Sequence, residues 1–130
     1  MKYVILILSN PEPWGHPTAR FSAEGRALPD SYHDKADQEF DKLLAEISAS
    51  GELVYADALA DPATSTLYGW TPEGHTTTDG PYAETKEQLA GFFVIDTETR
   101  ERAEEIAAQF AQPGGVIELR PVMSPGGPDE

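Results

Sequence analysis

Apolar positions along the chain fall into five short runs and two stretches with helical spacing. Residues 3–8, YVILIL, are apolar throughout, the mark of a strand covered on both faces. Over 32–50, Phe40, Leu43, Leu44 and Ile47 fall at i, i+3, i+4 and i+7, which is one face of a helix. Asp30 or Ser31 offers a cap at its start, and Gly51 stops it. Residues 53–59 read as a strand ended by Asp61-Pro62. Residues 65–70 and 75–78 flank a Pro-Glu-Gly turn and read as a hairpin. Residues 89–95 are a further buried strand. Asp96 or Thr97 then caps a helix over 98–111, whose Ala103, Ile106, Ala107 and Phe110 share a face. Pro113-Gly114-Gly115 breaks that helix as a C-cap before a last strand at 116–122.

The order is β-α-β-hairpin-β-α-β. Two helices with one apolar face each, laid on an antiparallel sheet, predict an α+β domain of ferredoxin-like βαββαβ type with an extra hairpin. It spans 1–123, with a disordered tail at 124–130. Helices on one side leave the other apolar side of the sheet bare. A face of that kind calls for a partner. The economical one is a second copy, two sheets closing face to face in a dimeric α/β barrel.

Charge narrows the partners further. Nine basic residues stand against 23 acidic ones, a formal net charge of −14. So negative a surface repels phosphate backbones and anionic membranes, which argues against nucleic acid and membrane partners. The chain has no cysteine, which excludes disulfides, thiolate zinc sites and a cysteine nucleophile. The N-terminal apolar run is too short to span a bilayer and is followed by a Pro-rich loop, so it reads as a strand of a cytoplasmic protein.

Two segments carry more chemistry than connection requires. Residues 10–30 form a long loop with Trp14, His16, Arg20, Phe21 and Arg26; it is either a surface loop anchored by aromatics or a lid. Residues 79–87, DGPYAETKE, start with a turn signal, since Asp and Gly suit tight turns and Pro ends a strand ladder. Glu84, Lys86 and Glu87 exceed what a corner needs. They read either as a solvated charged loop or as the rim of a site, with Lys86 offering a cation and Asp79 or Glu84 a base. Lys86, Arg120, Arg20 and Arg26 are expected to converge at the end of the sheet and favour a small anionic or carbonyl-containing ligand. The plainer reading of Arg120 is a pair with Glu118. His75 and Asp79 share a strand face about 13 Å apart, too far for a dyad. His33 with Asp37 reads as a helix-surface contact. No metal or cofactor is expected. There is no G-x-S-x-G elbow, and Gly114-Gly115 follows a helix, so it is not an anion cradle.

The 79–87 segment closely resembles the DGPFAETKE signature of the YciI-related (YCII, DGPF) family. The likeness continues through Gln88-Leu89-Ala90-Gly91-Phe92-Phe93-Val94-Ile95-Asp96, and the opening MKYV and closing VIELRPV also resemble the family. The resemblance implies a dimeric α+β barrel and a reaction that is not established. One branch has a proposed His–Asp pair, but Phe40 falls where that branch carries its helix histidine. Tyr82 replaces the common Phe. Two functional readings stand. One is an enzyme using acid/base chemistry, with Asp79 moving a proton and Tyr82, Glu84, Lys86, Phe92 and Arg120 binding the ligand. The other is a ligand-sensing or regulatory protein without catalysis.

Overall fold

The computed structural model describes residues 1–15, 19–80 and 87–123. Its elements are β1 (Lys2–Ser9), the short helix α1 (Ala23–Arg26), α2 (Asp30–Ser50), β2 (Leu53–Ala58), β3 (Thr66–Thr71), β4 (Gly74–Asp79), β5 (Gln88–Asp96), α3 (Arg100–Ala108) and β6 (Gly115–Pro121). The fold is α+β. Four strands form an antiparallel sheet in the order β2-β5-β1-β6, and β3 and β4 form a separate two-stranded sheet. The expected tail, 124–130, lies outside the described residues.

Register decides which side chains meet the helices. Ile5 lies opposite Phe93 and Leu119, and Tyr3 opposite Ile95. These residues face one way and pack with Leu43 and Ile47 of α2, with Ala103 and Ile106 of α3, and with Phe110 just beyond the end of α3. Phe40, Phe93 and Phe110 meet edge to face, with ring centroids 4.7–6.2 Å apart. The alternating residues face the other way: Val4 opposite Val94, Leu6 opposite Phe92, with Tyr55 beside Val94 on β2. They are only half-buried or exposed, and α2 and α3 lie on the opposite side. The bare apolar face expected from the all-apolar first strand is therefore present.

Local chemistry moves several boundaries. Helix α2 starts at Asp30, with Pro29 in the cap position and no side-chain cap bond, so neither Asp30 nor Ser31 caps it. Gly51 ends it in the left-handed conformation, φ 83°. Helix α3 is capped by Thr99, whose side chain accepts from the Arg102 amide, not by Asp96 or Thr97. Asp96 belongs to β5, and the Thr97 hydroxyl is committed to the Thr99 carbonyl. The helix ends at Ala108 with Gln109 as its C-cap, so Gly114 is not a C-cap but part of the turn into β6. Arg102 ties α3 to the end of α2, bonding Glu52 at 2.8 Å and Glu46 at 2.9 Å. Among the described residues no helix is long and apolar enough to cross a membrane.

Candidate functional site

Ser9, the last residue of β1, lies opposite Gln88 at the start of β5 and Gly115 at the start of β6. Three strand ends thus align at one end of the sheet, and connecting segments gather over them. Their placement follows from a few short-range bonds. Ser22 caps α1, its buried Oγ accepting from the Gly25 amide at 2.9 Å. The same oxygen lies 3.0 Å from the Ala19 carbonyl and 3.1 Å from that of Pro113, and can donate its proton to either. Ser22 thus joins the first loop to the α3–β6 turn. Glycine is required on both sides of this junction. A Cβ on Gly25 would stand 1.6 Å from the Ala19 carbonyl oxygen, and one on Gly114 would stand 2.2 Å from Ser22 Cβ. Trp14 holds the earlier part of the loop, donating from Nε1 to the Leu59 carbonyl at 2.8 Å.

Three hollows adjoin here. The first, about 90 Å³, lies between α2 and the sheet and is lined by Ile7, Phe40, Phe110, Ile117, His33 and Arg20 among others. The second, about 420 Å³, shares Ser22, Gly114 and Gly115 with it and adds Glu12, Glu24, Arg26 and Glu87. The third, about 820 Å³, shares Asn10, Glu12 and Arg26 with the second and adds Trp14, Asp61 and Gln88. Carboxylates outnumber cations along the two larger hollows. Arg20, at the mouth of the first, bonds Asp37 and Asp34, each at 2.9 Å. Its guanidinium is held further above its ordinary pKa by Asp37 first and then Asp34.

The residues singled out in the sequence do not all gather here. Asp79 is exposed, ends β4 opposite Thr66, and shares a hairpin face with His75, Trp70 and Tyr68. The Gly80 amide beside it donates to the Ser65 carbonyl at 2.8 Å and closes the hairpin's base. Tyr82, Glu84 and Lys86 lie outside the described residues, as does His16. Glu87 lines the second hollow. Phe92 is on the bare face of the sheet, its ring 6.0 Å from that of Tyr55. Tyr55 in turn donates to Asp57, which raises its phenol pKa. Arg120 lies opposite Val4, five strand positions or about 17 Å from the Ser9–Gly115 end. It bonds Glu118 on its own strand. Arg20 and Arg26 therefore line adjoining hollows at the sheet end without sharing one, and Arg120 does not join them. Among the described residues no group of three or more His, Asp or Glu is placed to hold a metal.

His33 was the residue missed. It is not paired with Asp37 on the helix surface: it is 4% exposed, and its Nε2 lies 2.7 Å from the Gly25 carbonyl. The signal was present, since His33 precedes Phe40 by seven residues and continues the apolar face of α2.

The antiparallel sheet with helices on one side and a loop-built end defines an α+β domain with a candidate ligand site at that end. The model of the YCII-related domain matches residues 1–124, and the chain belongs to that family. No curated protein matches it.

Proposed function

We propose that this chain is a small-molecule-binding protein that acts as a homodimer, its protomers being ferredoxin-like and their bare sheet faces closing on each other. The bare face itself carries the reading. Val4, Leu6, Phe92 and Val94 are apolar, sit on the two central strands, and among the described residues have no helix over them. Isolated exposed apolar residues are ordinary, but a contiguous patch across central strands favours association. The sheet order β2-β5-β1-β6, with α2 and α3 in the two crossovers, supports the ferredoxin-like assignment.

The ligand site of this reading is the loop-built end of the sheet, bordered by the 79–87 segment. Gly80 at the hairpin base and Glu87 at the second hollow are the described ends of that segment's central part. Asp79, at the exposed end of β4, is the proposed proton-transfer group, and Tyr82, Glu84 and Lys86 are the proposed ligand-binding residues. The acidic lining supports a neutral, carbonyl-containing ligand over an anionic one. Thermal unfolding of wild type and Asp79→Ala with small carbonyl compounds and carboxylates tests this. A carbonyl compound should raise the Tm of wild type and not of the variant, while the two proteins melt alike without it. A variant that melts lower, with neither protein responding to any compound, makes Asp79 a turn residue and removes it from the site.

A further inference from the structure

The smallest hollow has a chemistry of its own, and its walls belong to the helix-covered side of the sheet, so it does not depend on dimerisation. We infer that it binds a small neutral molecule carrying a hydroxyl group on a short apolar body, with His33 Nδ1 accepting the hydroxyl proton.

The imidazole fixes the polar end. A carbonyl oxygen only accepts, so His33 Nε2, 2.7 Å from the Gly25 carbonyl, carries the ring's proton. In the neutral ring Nδ1 is then an acceptor, and it bonds no described residue. Among the described residues no side-chain nitrogen or oxygen is sealed away without a hydrogen bond. The ring is 4% exposed and lines the hollow, so Nδ1 is reached through the hollow. Because α1 positions the Gly25 carbonyl, the tautomer is set by the fold, as in sites where one ring nitrogen orients the other.

The rest of the wall fixes the apolar end and the charge. Ile7, Phe40, Phe110 and Ile117 supply apolar surface. On the wall the Arg20 guanidinium is already paired with Asp37 of the same wall and with Asp34 outside it, which disfavours an anion. A volume of about 90 Å³ is below the roughly 150 Å³ of an apolar cavity that admits benzene, so the occupant has fewer than about six heavy atoms.

Butan-2-ol and butan-2-one separate the hydroxyl from mere shape, since they are nearly isosteric and only the alcohol donates. Each is titrated into protein with ¹⁵N-labelled histidine, and the ring nitrogen signals of His33 are followed. The alcohol is expected to shift the Nδ1 signal saturably and to bind about tenfold more tightly than the ketone, the ratio one net hydrogen bond supplies. His33→Leu removes the Nδ1 acceptor and brings no acceptor of its own, while the Gly25 carbonyl keeps its bond from the Leu28 amide. It should fold and lose the preference for alcohol. Should it not fold, Ala36→Leu, which fills the hollow from α2, should abolish the shift with His33 in place. Equal binding of alcohol and ketone, binding retained in both variants, or no saturable shift in wild type would overturn the inference; the last outcome makes the hollow a water pocket.

Discussion

Gly114 and Gly51 give an internally controlled test of the junction that builds the sheet end. Both have φ 83°, in the left-handed region. Alanine there costs roughly 1–2 kcal/mol at either position. At Gly51 nothing else changes, because no atom lies within 4 Å of the new Cβ. At Gly114 the Cβ would sit 2.2 Å from Ser22 Cβ and 2.3 Å from its Oγ. Both atoms are close to their backbones, so the turn and the α1 cap must part. Overpacking of this kind costs about 1–3 kcal/mol more. For a chain of this size each kcal/mol lowers Tm by about 3–5 °C. Gly51→Ala should therefore lower Tm by about 3–10 °C, and Gly114→Ala by at least about 3 °C more. Calorimetry of the two variants under one buffer checks this. Equal losses would refute the close approach of Gly114 to Ser22, and with it the wall shared by the first two hollows.

Other outcomes follow from the same geometry. Ser22→Ala removes the α1 cap and the bond to Pro113, and should cost about 1–2 kcal/mol in urea unfolding with an unchanged m-value. Arg102→Met leaves Glu46, Glu52 and Glu105 without their shared cation and should cost about 1–2 kcal/mol at neutral pH, since the ion pairs are partly exposed. The Arg102 hydrogen bond holds the Glu52 carboxyl below its ordinary pKa. Its contribution is thus complete above about pH 4.5 and lost as pH falls through the lower folded value. Wild type should lose stability in that acidic window more steeply than Arg102→Met, as Tm against pH will show; parallel curves would remove the linkage.

Much of the architecture was legible because burial imposes period. The uninterrupted 3–8 run gave a central strand, and Phe40, Leu43, Leu44 and Ile47 gave the buried face of α2. Helix starts were less legible because Asp96-Thr97-Glu98-Thr99 offers several capping groups, and the choice depends on how far β5 extends. His33 was misread for a related reason: a polar residue on an apolar stripe looks like a surface group until a carbonyl from a distant segment satisfies it. That carbonyl comes from α1, a four-residue helix inside a stretch whose composition reads as loop. Its one local signal is the Ser22 cap with Gly25 three residues on. Convergence of basic residues failed as a guide to Arg120 because register, which composition does not encode, sets it about 17 Å from the strand ends where Arg20 and Arg26 line adjoining hollows.

The most direct test of the homodimer is the mass in solution by sedimentation equilibrium, for wild type and Leu6→Asp. One chain is 14.1 kDa. Wild type should sediment at about twice that mass. Leu6→Asp, which puts a charge on the bare face opposite Phe92, should sediment as a folded single chain. A wild type of single-chain mass at high micromolar concentration, or a Leu6→Asp variant that stays a dimer, would contradict closure of the two sheets on each other.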